Sequence, residues 1–354
     1  MLYHNINNYL KRYLKDIFCG VSSNSPYKNN DFLRVLIDAA EHEDFTNNTS
    51  KRVEGPTGET VFSRLKNADF EKIKTAFYEI LKIIFPLIKR LIRNRKVAIA
   101  FDMTEEPYYG KVEGLWIHSY CEARGSTGCF KYLTVSAVTK ENKFILGNLP
   151  VRVGADTVAL ISELLINLRK LVVPERLLFD RGFDSYELIE FLQKEGVRYQ
   201  ILWRKDKWSK KILKTMKRNQ VKEVNAKKSY TKHKSKNKLM VRFVFIKCYK
   251  RYNRGKAYDW IFATNVREKE KRFYVDKYKK RWGIETVFRV LDTIRIKTTT
   301  TNEIIRYFLN ILCCLLYNLW KLGNLLGEHI SLKNFVAYLV KIIESSINSQ
   351  KGVT

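Results

Sequence analysis

Apolar residues return every three to four positions through "NNYLKRYLKDIF", "DFLRVLIDAAEH", "ETVFSRLKN" and the long "DFEKIKTAFYEILKIIFPLIKRLIRN". That period predicts helices. The stretches between them, "SSNSPYKNN" and "TNNTSKRVEGPTG", have loop composition. At "VAIAF" (Val97–Phe101) the texture changes to a continuous apolar run, which predicts a buried strand. "GLWIHSYCEA", "FKYLTVSAVT" and "KFILGNLPV" predict three more strands in an antiparallel meander, with "RGSTG" and "KEN" as turns. A helix ("DTVALISELLINLRKLV"), a strand ("RLLFD"), a helix closed by glycine ("SYELIEFLQKEG") and a strand ("RYQILWR") follow.

Strands followed by alternating helices and strands predict a mixed sheet with helices on its faces. The expected class is α/β, with a ribonuclease-H-like sheet and flanking helices, an inserted basic β-rich subdomain and a helical N-terminal domain. The expected boundaries are 1–95 for the helical, DNA-binding N-terminal region and 96–204 for the first part of the core. The basic insertion spans 205–264, the second part of the core 265–300, and the C-terminal helices 301–354. Thr57-Gly58-Glu59-Thr60 starts a short helix similar to the second helix of a helix-turn-helix, although a plain bundle helix is the simpler reading.

Charge sharpens this picture. The 354 residues carry 66 Lys and Arg against 36 Asp and Glu, a net +30. Such an excess implies a polyanionic partner, and nucleic acid fits it best. From Arg204 to Arg242 there are 16 basic residues and two acids, interleaved with Trp203 and Trp208. Further aromatics follow at Tyr230, Tyr249, Tyr252, Tyr258 and Trp260, so this surface is expected both to attract a backbone and to stack on bases.

Other classes lose support. "IIRYFLNILCCLLYNLW" (Ile304–Trp320) is apolar but short, and Arg306, Asn310 and Asn318 interrupt it. A buried core helix is expected there rather than a membrane span. No signal-peptide pattern opens the chain. The six cysteines have no zinc-binding spacing, so they read as reduced thiols and the expected location is cytoplasmic. Five histidines are scattered without metal spacing, and neither a phosphate-binding glycine loop nor a serine-nucleophile motif is present.

Three carboxylates stand out. Asp102 ends "VAIAFD" and Asp180 ends "RLLFD", each at the exit of an apolar strand. The third lies in "YKKRWGIETVFRVL" (Tyr278–Leu291). At 100° per residue, Ile284, Val287, Leu291 and Ile294 fall on one face, and Tyr278, Arg281, Trp282, Glu285 and Arg289 on the other. Phosphodiester chemistry uses two divalent cations about 4 Å apart, held by hard carboxylate oxygens. A ribonuclease-H-like sheet sets its first strand beside the fourth, so Asp102 and Asp180 are expected to be neighbours and Glu285 to join them.

These residues resemble cut-and-paste DDE transposases of bacterial and archaeal insertion sequences. Tyr278, Arg281 and Glu285 match the family's Tyr-x2-Arg-x3-Glu-x6-Lys motif. "DRGF" at Asp180 is similar to its second motif, and "FDMT" with "PYYGK" to its first. Asp292 stands where the family has lysine.

The resemblance implies that Asp102, Asp180 and Glu285 are the catalytic metal ligands for two Mg2+ or Mn2+ ions. It implies DNA contacts by Tyr278 and Arg281, with Lys297, Arg289 or Arg295 taking over the missing lysine's phosphate contact. In the basic insertion, Arg204, Lys205, Trp208, Lys210 and Lys211 are expected on DNA. The implied activity is DNA cleavage at element ends and strand transfer. The implied partners are terminal inverted repeats, target DNA and a second copy of the chain in a synaptic complex, in the nucleoid of a prokaryotic cell, with no membrane. The competing readings are a nuclease without strand transfer and a catalytically silent DNA-binding derivative.

Overall fold

The computed structural model describes residues 2–18, 25–91, 97–139, 142–232, 235–247, 251–252 and 256–351. Tyr249 and two of the cysteines, Cys19 and Cys248, lie outside these residues, as does the side chain of Tyr252. Five helices open the chain: α1 (Leu2–Ile17), α2 (Asn29–His42), α3 (Thr46–Arg52), α4 (Gly58–Ser63) and α5 (Phe70–Leu91). In α1 the stripe Ile6, Leu10, Tyr13, Leu14 and Ile17 is buried, as the three-to-four period requires.

The core follows as β1 (Ala98–Tyr108), β2 (Gly128–Val138), β3 (Lys143–Val151), α6 (Thr157–Leu171), β4 (Arg176–Phe179), α7 (Tyr186–Lys194) and β5 (Tyr199–Leu202). Helices α6 and α7 start where Asp156 and Ser185 accept backbone N–H groups of their first turns. Next come α8 (Lys207–Thr215), β6 (Val221–Lys232), β7 (Ser235–Ile246), β8 (Arg251–Tyr252), β9 (Lys256–Ala257) and β10 (Trp260–Thr264). The chain ends in α9 (Lys271–Tyr278), α10 (Trp282–Leu291), α11 (Glu303–Leu325) and α12 (Leu332–Lys351).

Eight strands form one sheet in the order β3-β2-β1-β4-β5-β10-β7-β6. β1, β4 and β5 run parallel and the other pairings are antiparallel. The first five strands are the ribonuclease-H arrangement, with β1 beside β4 as expected. Three local expectations change. The long strands of the basic segment 205–264 form no sheet of their own, because β10, β7 and β6 extend the central one; only the two-residue strands β8 and β9 pair apart from it. "GLWIHSYCEA" is not a strand. Within it His118 makes a single bridge to Cys129, and β1 itself runs on to Tyr108. The N-terminal helices have no core of their own, since their apolar faces join one cluster with the sheet, α11 and α12.

α11 is long and apolar enough to cross a membrane, and 72% of its apolar window is buried inside the protein. Its polar interruptions are bonded: Arg306 to Glu106 and to the carbonyls of Thr298 and Thr300, Asn318 to the backbone of Ile145. The opposite face of the sheet is covered by α9 and α10, which pack Val275, Tyr278 and Ile284 on Ala98, Leu178 and Phe262.

Candidate active site

The parallel register of β1 with β4 stops at Phe101↔Phe179, whereas β1 stays paired to β2 as far as Tyr108↔Gly128. Asp102 therefore does not end its strand. It is the first residue of β1 without a β4 neighbour, and Asp180 is the first residue beyond β4. The two carboxylates open the same gap, above the Phe101 and Phe179 rings stacked at 4.8 Å. Asp180 also caps the 3-10 turn Arg181–Phe183, accepting the Gly182 N–H at 2.8 Å.

Glu285 arrives on α10, whose residues Ile284, Val287 and Leu291 are buried. That face of the wheel is as expected, and the other face is not. A 3-10 turn at Lys279–Arg281 separates α9 from α10, and its tighter winding breaks the 100° phase. Tyr278, expected against DNA, is 1% exposed and packs 5.1 Å from the Phe262 ring. Arg281, also expected against DNA, is 7% exposed. Its Nη1 donates to Asp102 Oδ2 at 2.7 Å and its Nη2 to Glu285 Oε1 at 2.5 Å.

Asp102, Asp180, Arg281 and Glu285 line one open cleft of about 780 Å³. Glu43, Glu105, Glu122 and Asp292 add four more carboxylates, against only Arg295 and Lys297 as further cations. Seven acids and three bases thus meet in a chain of net charge +30. Burial pushes the Asp102 carboxyl up to about 7; Arg281 opposes the shift, and the charges of Asp180 and Glu285 add to it. Asp180 is likewise raised, chiefly by burial. Burial alone would lower the Arg281 guanidinium, but Tyr278 and the three carboxylates outweigh it and hold it above its ordinary value. A crowd of hard oxygen donors with too little positive charge fits divalent cations.

The remaining predicted residues divide. Arg289, Lys297, Lys210 and Lys211 are exposed, and Lys297 lies on the cleft. Arg204 is an ion-pair partner of Asp184, and Lys205 sits 4.2 Å over the Tyr258 ring. Trp208 is not a free stacking platform: it packs 5.2 Å from Phe243, and the Lys228 ammonium covers it at 3.4 Å. Trp203 and Trp260, each 3% exposed, fill the core. Asp292 pairs with Arg295. Glu105 and Glu122 escaped the sequence reading, because past Met103 the run "TEE" is continuously polar and gives no strand alternation.

Residues 94–319 match the family described as Transposase DDE domain. No curated protein matches the chain. Among solved structures, the fold is similar to the piggyBac transposase in a synaptic complex with hairpin DNA, with a TM-score of 0.59 and 14% identity. The likeness covers 98% of this chain and 79% of that one.

Proposed function

The chain belongs to the transposase family defined by the DDE domain, and we propose that it cuts DNA at the ends of its element and joins those ends to a target. The carrying observation is the convergence of Asp102, Asp180 and Glu285, from three separate elements, on one cleft. Mg2+ or Mn2+ held there, two ions per site, would supply Lewis acidity at the attacking and leaving oxygens. Asp102 and Asp180 would hold them from the rigid sheet, and Glu285 from the helix laid across it. Arg281 fixes the spacing of Asp102 and Glu285. The acidic cleft suits cations, so the DNA backbone is expected on the basic surface around it. The hairpin DNA in the structurally similar piggyBac complex fits DNA as the partner, and joining two element ends would need two copies of the chain.

A strand-transfer assay tests this reading, with the full chain, a pre-cut element end, target DNA and Mg2+ or Mn2+. Joined products are expected, and Asp180→Ala is expected to lower them by at least about 10³-fold while the variant stays folded. Cleavage without joining would replace the proposal with a nuclease. Joining that survives Asp180→Ala would remove the metal role of that residue.

A further inference from the structure

Beside the cleft lies a second group of potential ligands with a different chemistry. Glu105, Cys121 and Cys129 each offer one ligand atom, all within 4.8 Å of one another. They come from three places in the chain: Glu105 from β1, Cys129 from β2, and Cys121 from the long connection between those strands. We infer that these three residues form a zinc-class metal site that staples this connection to the sheet.

Donor chemistry selects the ion. Two thiolates and one carboxylate suit Zn2+, whereas Mg2+ takes oxygen donors. Tetrahedral zinc with bonds of about 2.0–2.3 Å sets its ligand atoms about 3.3–3.8 Å apart, so the group needs only a small contraction. Supports are already in place. Glu105 Oε2 accepts the Glu122 N–H at 2.8 Å, which orients the carboxylate. Cys129 is buried and its backbone exchanges both hydrogen bonds with His118. Lys131 lies 2.7 Å from the other Glu105 oxygen. Two thiolates and a carboxylate around Zn2+ sum to one negative charge, and the Lys131 ammonium offsets it. Cys121 is part-exposed, which leaves the fourth position to water.

The staple would act on the neighbouring cleft. Glu105, Glu122 and Ala123 line its wall, so an ion here would set the position of that wall without joining the Asp-Asp-Glu chemistry. The lack of zinc-binding spacing among the cysteines is consistent with this, because the ligands are brought together by β1–β2 pairing rather than by adjacency in sequence.

The test uses the reduced, chelator-treated full chain titrated with Co2+, whose thiolate charge-transfer absorption reports sulfur ligation. One equivalent is expected to raise that band and Zn2+ to abolish it. Cys121→Ser and Glu105→Gln are expected to weaken Co2+ binding at least tenfold, whereas Cys313→Ser leaves it unchanged. Zn2+ is also expected to slow proteolysis within 109–127 in the parent and not in Cys121→Ser. Cobalt bound only by the carboxylate cleft gives no sulfur band, so failure here is distinguishable from failure of the proposed transposase chemistry. No band in the folded parent, or a band undiminished in Cys121→Ser, would overturn the site.

Discussion

Arg281 and Asp102 form a buried ion pair at 2.7 Å, with side chains 8% and 12% exposed, that ties the start of α10 to the middle of β1. The same guanidinium holds Glu285, so one cation serves two of the three Asp-Asp-Glu carboxylates. Removing one partner of a buried pair costs about 3–5 kcal/mol, because the other charge is left uncompensated. Arg281→Gln is therefore expected to lower stability by about that amount without divalent ions. Mn2+ should restore more stability to the variant than it adds to the parent, because the ion takes over the lost charge. Thermal unfolding with and without Mn2+ reads both effects. A variant of unchanged stability that had lost only DNA affinity would return Arg281 to the DNA-facing role.

Tyr278 is judged by the same contrast. Its ring fills the space between Phe262 and Trp260. Tyr278→Ala should cost about 3–5 kcal/mol as an aromatic truncated in the core. Tyr278→Phe keeps the ring and should leave DNA affinity within about twofold of the parent, since 1% exposure leaves no surface for a phosphate. Urea unfolding and DNA titration on the two variants separate a packing residue from a contact residue.

The difference between these outcomes and the helical-wheel reading shows what local pattern carries. Asp102 and Asp180 were legible because apolar runs end abruptly at each, and β1–β4 adjacency follows from strand order in the ribonuclease-H topology. Ile284, Val287 and Leu291 were legible because α10 obeys the helical period. Tyr278 is buried rather than outward because three residues of 3-10 winding, Lys279–Arg281, leave no mark on side-chain chemistry yet rotate what precedes them; Arg281 keeps its four-residue spacing to Glu285 but turns to Asp102 across the fold, a contact no helical wheel specifies. The strands of the basic segment were visible, but their pairing was not. β10 finds β5 and β7 through long-range register, which alternation within a strand cannot specify. Lysines along β6 also have a structural reason to be there, because β6 is the sheet's edge and charge discourages edge-to-edge association.

Asp292 lies on the cleft where the resemblance expects lysine, and it is paired with Arg295. Asp292→Lys replaces a negative charge with a positive one and frees Arg295. Because Asp292 is 56% exposed, the stability change should stay below about 1 kcal/mol. DNA affinity should rise, and the dependence of log affinity on log salt should steepen by about 0.9 for each additional phosphate neutralised. Binding measured across a salt series decides it; an unchanged slope would mean that this position does not meet the backbone.

The exposed lysines of α8 make the complementary case. Lys210→Glu and Lys211→Glu should leave the fold intact and flatten the salt dependence by about one unit for each phosphate no longer neutralised. Trp208→Ala, two residues earlier, should behave differently. Its ring is packed against Phe243 and Phe245 under the Lys228 ammonium, so the expected result is a stability loss of about 1–3 kcal/mol. Equal loss of DNA affinity in all three variants at unchanged stability would restore the stacking role of Trp208.

Asn318 interrupts an apolar helix, and its bonds give the reason. Its Nδ2 donates to the Ile145 carbonyl at 2.8 Å and its Oδ1 accepts the Ile145 N–H at 2.9 Å. Opposite Ile145, the register of β2 with β3 shifts between Val135 and Ser136, so this stretch of edge strand needs a partner from outside the ladder. Asn318 supplies both a donor and an acceptor from α11. Asn318→Leu fits the apolar surroundings by size but leaves two buried backbone groups unpaired, at about 1–3 kcal/mol each. The expected loss is about 2–4 kcal/mol by urea unfolding, with faster amide exchange at Ile145. A neutral or stabilising result would mean that the bulge finds water or re-pairs, and that the asparagine is not what holds α11 to β3.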